Sequence, residues 1–498
     1  MLLLHFAYGI LQMNYNWLVK LLLGPLLFVL IIMFGNLSPG NPAVTYMAGI
    51  TIWIACWWLT EVIDIAVTSL LPLVLLPAFG ILDAKNTALQ YSDQVIFLFV
   101  GGFILSFAIE KWDLHKRISL KILSLIGTSP VNILAGVMAT TYFISMWMSN
   151  TATVMMLLSA VLAIIYSVEK DMGPAIKTKI SSALLLGLAY SASIGGMATL
   201  VGTPTNMIFY SFYQKHFPDL PPITFSKWFA IGFPLSISLL LVTFLILRFR
   251  FITKAANIKF DKNYFRDAYK LLGKFSFEEI TVTIIFTLTA LLWFTRSDID
   301  MGRFTFYGWS NLFGSRKEDI QDSTVAIFMA MFLFIIPSKR DKGKPLLAWD
   351  DAKKIPYDII LLFGSGFALA KGFDASGLSN WLAGQLKFLN DANLYVIILI
   401  ICIVVCVISE FASNVASIQL VLPILMVLSV SLKISPELLM IPATLAASLG
   451  YILPVATAPN TIVFGTKLIR LKHMIWSGFW IDIIGIVLIT LGVIIFLF

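Results

Sequence analysis

The chain has 498 residues, of which 59% are hydrophobic and 12% charged, with a mean hydropathy of +0.90. Soluble globular chains hold roughly 45–50% apolar and about 25% charged residues, so an aqueous globular fold is excluded and bilayer is the better solvent. The net charge of +8 does not mark a nucleic-acid surface, because the basic residues gather between apolar runs without interleaved exposed aromatics; the positive-inside rule accounts for them.

Apolar runs long enough to cross a hydrocarbon core of about 30 Å recur along the whole length, and one membrane domain is the simplest organisation. The first run carries no cleavable-signal pattern and is expected to stay as a membrane helix, the first of the N-terminal helices over residues 1–93. Cys56, Cys402 and Cys406 fall inside apolar stretches and read as packing residues, suggesting neither a disulfide framework nor a zinc site.

Within residues 94–250, the segment 131–168 resists reading as a simple crossing. Lys111, Lys116, Arg117 and Lys121 precede it and Lys170, Lys177 and Lys179 follow it, so both ends read as cytoplasmic. The polar cluster Ser149, Asn150, Thr151 lies at its middle. A re-entrant helical hairpin satisfies these facts. Two full crossings satisfy the flanks as well but put the cluster at the far surface, and length alone does not decide.

Past Leu247 the chain holds Arg248, Arg250, Lys254, Lys259, Lys262, Arg266, Lys270 and Lys274, which makes 251–277 a cytoplasmic basic linker. Residues 278–357 follow. They carry an acidic loop (Asp298, Asp300, Glu318, Asp319, Asp322), expected outside, and a second basic stretch (Lys339, Arg340, Lys342, Lys344, Lys353, Lys354), expected inside. The sequence WDDAKKIPYD, with Asp350 and Asp351, reads as an amphipathic interfacial helix. Propagated over the chain, the pattern predicts an all-α polytopic protein. It has eleven crossings, the N-terminus cytoplasmic and the C-terminus external, plus a second hairpin over about 393–432 within residues 358–498.

The stretch IFLFVGGFILSFAIEKWDL from Ile96 resembles ILLFGSGFALAKGFDASGL from Ile360 at a constant offset of 264 residues, and the same offset carries Ser149, Asn150 onto Ser413, Asn414. This predicts a duplication whose halves run in opposite directions, the second hairpin entering from outside. Inverted repeats place binding sites at the midplane, between broken helices. Each hairpin is followed by a segment rich in helix breakers, GGMATLVGTPTN from Gly195 and LPVATAPN from Leu453, since glycine permits positive φ and proline removes a donor. Unwound backbone survives in a membrane only where it is buried in protein or lines a cavity. Any one of these four elements is ordinary capping or kinking as often as not; four at matching positions of a duplicated chain point to a site.

At Ser149 and Ser413 a second hairpin arm begins, and its N-terminus presents free N–H groups and a positive dipole end suited to carboxylate or sulfate. Asn150, Asn414 and the Thr151 hydroxyl add side-chain donors, while carbonyls at the breaks are the oxygen ligands sodium prefers. No Lys or Arg lies within either hairpin, and a dianion buried without countercharge faces a prohibitive desolvation cost. Against 100 mV, inside negative, a dianion pays roughly 4.6 kcal/mol to enter. Two co-transported sodium ions cancel that, and a third makes uptake electrogenic.

These residues resemble the divalent anion:sodium symporter family, the INDY-like dicarboxylate and citrate transporters, over essentially residues 50–498. The resemblance rests on SNTATVMM from Ser149, SEFASNVAS from Ser409, GTPTN from Gly202, LPVATAPN from Leu453 and WWLTEVID from Trp57. It implies a homodimer in a cell (inner) membrane in which a scaffold, including residues 1–93 and 278–357, holds still while a transport domain moves as an elevator. It implies one sodium site at Ser145, Ser149, Asn150 and Gly202 and another at Ser409, Ala412, Asn414 and Ala456, with Gly202, Ala412 and Ala456 giving backbone carbonyls only. Substrate carboxylates would meet Ser149, Asn150, Thr151, Thr203, Ser413, Asn414 and Thr457, with Val415 where many relatives carry threonine. Asp64 stands where the family's motif usually has proline; solvation of a helix end is its expected role.

Sodium-coupled import of succinate, malate, fumarate or related di- and tricarboxylates is the leading expectation. Sodium-independent exchange of carboxylates is the alternative. A membrane-embedded transferase would need paired carboxylates at a cavity, and no DDxxD-like cluster occurs within a span. Glu410, near the second tip, is expected to brace that tip by hydrogen bonds, with proton coupling as the other reading. His5, His115, His216 and His473 fall in or beside loops without ligand spacing and are expected to be solvated.

Overall fold

The computed structural model describes residues 15–125, 129–167, 174–252, 264–300, 305–389 and 392–497. His5, Lys170, Lys254, Lys259 and Lys262, which figured in the sequence expectations, lie outside them.

The described chain is almost entirely helical. Its principal helices, labelled in chain order, begin with α1 (Tyr15–Phe34), α2 (Pro42–Thr60), α3 (Gln94–Lys111) and α4 (Pro130–Ser145). Next come α5 (Asn150–Ser167), α6 (Pro174–Met197), α7 (Pro204–His216) and α8 (Phe225–Leu247). The third group is α9 (Phe277–Phe294), α10 (Asp322–Ile335), α11 (Tyr357–Ser376) and α12 (Leu394–Phe411). The last are α13 (Asn414–Leu432), α14 (Glu437–Ala447), α15 (Ala458–Gly465) and α16 (Leu471–Leu497). Among the described residues ten helical stretches are long and apolar enough to cross a bilayer. Both α12 and α13 reach that length, whereas α4 and α5 are shorter apolar helices. The protein is thus a multi-pass membrane protein.

The chain divides into two compact units. The first comprises 1–93, 356–396 and 415–440, the second 94–355, 397–414 and 441–498. The first unit is centred on Met47, Ile50, Ile54 and Trp58 of α2 packed with Leu362, Leu369 and Phe373 of α11, all 3% exposed or less. Its polar ends are tied by side chains. Asn41 donates to Ser376 O (2.9 Å), and the Tyr91 hydroxyl donates to Ser69 O (2.6 Å). Asp64 accepts from Ala66 N at 2.7 Å and caps the short helix Ile65–Thr68, which gives the residue standing in the proline position the helix-end role expected of it.

In the second unit, α6 is the central element: the stretch 180–197 is buried along its whole length, as a helix apolar on every side requires. It packs on α4, α5 and α8. Outside the apolar spans the helix Leu114–Leu125 is amphipathic, and its Arg117 forms a two-pronged ion pair with Glu279 (2.7 and 3.1 Å) while donating to the carbonyls of Leu272, Gly273 and Lys274. Satisfied on nearly all its donors, this buried pair fixes the entry to α9; removing one partner of such a pair typically costs about 3–5 kcal/mol.

The histidines depart from the sequence expectation. His115 is 3% exposed, with Nδ1 3.3 Å from Ile109 O, because the buried face of an amphipathic helix carries it inward. His473 shares a 2.8 Å hydrogen bond with the Ser182 hydroxyl, and His216 is half-buried.

Candidate functional site

Two side-chain clusters in the second unit share one design. In the first, α4 ends at Ser145 and α5 begins at Asn150. The Ser145 hydroxyl lies 2.7 Å from Asn150 Oδ1 and 2.7 Å from Ala192 O. One hydroxyl has one proton to donate, so three converging oxygens keep lone pairs in surplus. A small hard cation satisfies such a set. Gly202 and Gly196 close the cluster: a side chain on Gly196 would come within 2.6 Å of Asn150 Oδ1 and 3.0 Å of Gly202 O. Bare backbone is what lets an amide oxygen and a peptide carbonyl meet here.

The second cluster repeats this, residue for residue. The Ser409 hydroxyl lies 2.7 Å from Asn414 Oδ1 and 2.7 Å from Ala447 O. Gly450, with φ of +150°, lies against the same group: a side chain on it would meet Ala456, Asn414 Oδ1 and Ser409 O at 3.5, 3.6 and 3.6 Å. Ala412 and Ala456 are buried beside them.

Each cluster adjoins a broken helix held open by an asparagine. After the first break, Asn206 Nδ2 donates to Gly196 O (3.0 Å) and Thr199 O (2.8 Å); after the second, Asn460 Nδ2 donates to Gly450 O (2.9 Å) and Leu453 O (3.1 Å). Both carbonyls per loop are thereby satisfied without helix, as backbone inside a bilayer demands. The carboxamide oxygens Asn206 Oδ1 and Asn460 Oδ1 are both buried without a hydrogen-bond partner among the described residues. Thr203 and Thr457 are the N-caps of α7 and α15. The Thr205 and Ser448 hydroxyls, 3.1 Å apart, join the two broken segments directly, and α5 and α6 pack on α15.

The helix starts supply the donors. Ser149 caps α5 by accepting from Ala152 N at 3.2 Å, with Thr151 half-buried in the first turn. Ser149, Gly202 and Thr203 line a cavity of about 20 Å³ together with Phe103, Trp147 and Met148. That volume holds a single water or ion. Ser413 precedes the start of α13 and is half-buried. Val415 belongs to the first unit and packs against its apolar core.

Glu410 accepts from Ile452 N (2.9 Å) and Leu453 N (3.0 Å), so its hydrogen bonds brace the second break, where the sequence placed them at the tip. Its partner, Asp482 on α16, is a residue that the sequence expectations passed over. Only 4% exposed, Asp482 interacts with Glu410 and receives the Tyr451 N–H at 3.5 Å. The signal was present: an acid alone in the apolar run from Ile475 to Phe498 is costly unless it has work to do.

The family described as the sodium:sulfate symporter transmembrane region matches residues 16–497. The chain belongs to this family. Two sodium-dependent dicarboxylate transporters named SdcS are similar over nearly its whole length. That of Staphylococcus saprophyticus is 42% identical over 486 residues, covering 96% of this chain and 91% of the relative. That of Staphylococcus aureus strain NCTC 8325 is 42% identical over 484 residues, covering 96% and 90%. Membership agrees with the resemblance carried by the tip and break motifs. The relatives are transporters by name, not enzymes.

Proposed function

We propose that this protein imports C4-dicarboxylates such as succinate, malate or fumarate, or closely related di- and tricarboxylates, together with sodium ions. The observation that carries the reading is the duplicated cradle: Ser145, Asn150 and Ala192 O recur as Ser409, Asn414 and Ala447 O, each beside a helix start and each without a basic residue. A dianion lodged there needs positive charge that the hairpin arms do not carry. Sodium at each oxygen cluster supplies it and leaves when the substrate leaves. The dependence on sodium and the dicarboxylate named for the relatives fit that chemistry.

In this reading Ser145, Ser149, Asn150 and Gly202 hold one sodium, and Ser409, Ala412, Asn414 and Ala456 hold the other. The amides of Asn150 and Asn414, the hydroxyls of Thr151, Thr203 and Thr457 and the N–H groups after Ser149 and Ser413 receive the carboxylates. The cavity at Ser149 and Thr203 is far too small for a C4 acid, so loading widens it, with Trp147 and Phe103 moving off. Opposed hairpins in an inverted repeat then deliver the load by an elevator movement of a transport domain against a scaffold, in a homodimer whose N-terminus faces the cytoplasm and C-terminus the outside.

Radiolabelled succinate uptake into proteoliposomes that contain no internal carboxylate tests the function. Accumulation driven by an inward sodium gradient is the expected result. Uptake that needs internal carboxylate and ignores sodium overturns coupling and establishes exchange.

A further inference from the structure

A cationic feature lies outside both cradles. At the end of α8 the helix loosens into a wider turn over Arg248–Ile252, and beside it α16 begins at Leu471. Val242, Leu245, Ile246, Phe249, Arg250 and Trp476 line a shallow groove of about 400 Å³ between these helices. Its walls are apolar and open: Leu245 is 42%, Phe249 62% and Trp476 39% exposed. Its rim is cationic. The Arg250 guanidinium lies 4.6 Å from the centre of the Trp476 ring, held over the aromatic face and so positioned before any ligand arrives. Arg470, Lys472 and Lys179 lie within electrostatic reach of His473, as Arg250 does. Among the described residues no acidic side chain forms an ion pair with any of these four cations.

We infer that this groove is a binding site for an anionic phospholipid of the adjoining leaflet, its phosphate held by Arg250 and Lys472 and an acyl chain lying along Leu245, Ile246 and Val242. Three physical points favour that occupant. An apolar groove open to the bilayer side of two membrane helices is filled by an acyl chain at no desolvation cost. A pre-positioned guanidinium suits a phosphodiester, which accepts two N–H donors at once. The cluster as a whole, with Arg250 and Lys472 at its centre, decides the headgroup: a zwitterionic lipid would add its own ammonium to a cluster already short of anions, whereas a net negative lipid relieves the repulsion. Basic residues near a bilayer surface each favour anionic lipid, and two together give a preference of about thirtyfold, about 2 kcal/mol.

The test is a lipid titration of the purified full-length protein followed by native mass spectrometry, with phosphatidylglycerol and phosphatidylethanolamine of identical acyl chains. Wild type is expected to retain phosphatidylglycerol about thirtyfold more tightly. The double variant Arg250→Ala, Lys472→Ala is expected to lose that preference. Arg340→Ala, which removes a basic residue elsewhere on the surface, is expected to keep it. Equal retention of both lipids by wild type would overturn the assignment, as would a preference that survives in the double variant. Displacement of bound lipid by millimolar inorganic phosphate would also overturn it, because the cations would then belong to a soluble anion.

Discussion

Asn150 and Asn414 occupy the same place in the two clusters, each 2.7 Å from the serine that closes the preceding arm. In the proposed function each offers its carbonyl oxygen to sodium and its amide to substrate, so neither half-role survives truncation. Asn150→Ala and Asn414→Ala are therefore expected to abolish uptake while gel-filtration behaviour stays wild-type; either variant transporting normally would remove these residues from the site. Glu410 acts differently. Its two backbone donors, Ile452 N and Leu453 N, lose their acceptor in Glu410→Ala, at about 1–3 kcal/mol for each buried group left unmade. A clear fall in the melting temperature in detergent is expected for Glu410→Ala and a smaller one for Glu410→Gln, which keeps one acceptor oxygen. Equal melting of Glu410→Ala and wild type would mean that the second break holds its shape unaided. At this scale the chain announced its polar tips well, because amides and hydroxyls stand out in an apolar run. It concealed Asp482, whose partner lies 72 positions earlier at Glu410, and it misplaced His115, since loop proximity says nothing about which side of a short helix is buried.

Among the elements, the broken helices carry the most information. Their shared device, an asparagine reaching back to two free carbonyls, joins Asn206 to Gly196 and Thr199, and Asn460 to Gly450 and Leu453. The motif GTPTN and its counterpart ATAPN forecast a break but not the brace, because the carbonyls an asparagine reaches are set by the path of the loop. The second break also leans on α16. A side chain at Gly478 would run into the Tyr451 carbonyl and come within 2.5 Å of Ile452 N. Backbone cannot yield as a side-chain end can, and overpacking of this kind costs about 1–3 kcal/mol. Gly478→Ala is accordingly expected to lower both the melting temperature and the uptake rate. Gly465→Ala, where an added carbon meets nothing within 4 Å, serves as the control and is expected to match wild type. Equal behaviour of the two variants would show that α16 does not set the position of the second break. The repeat also differs between its copies. The tips correspond at an offset of 264 residues and the breaks at 254, and α6 has 24 residues where α14 has 11. The second copy thus reaches its break by a shorter path, which a search at one fixed offset does not register.

At the scale of the whole molecule, composition decided the solvent and the motifs decided the family, and these agree with helices able to cross a bilayer and with matches that span nearly the full chain. What composition does not supply is charge balance at a site of amides, hydroxyls and carbonyls. An oxygen-rich cradle repels a dianion unless cations occupy it first, so in the proposed function the two clusters load their cargo as one unit. Moving a dianion inward against about 100 mV costs roughly 4.6 kcal/mol, and each sodium returns about 2.3. Two cradles thus predict at least two sodium ions carried with each substrate. Dual-isotope flux in proteoliposomes, counting labelled sodium and labelled succinate over the same initial seconds, measures this directly. The account predicts a ratio of two or more; a ratio below two, or succinate entry with no accompanying sodium, would contradict it.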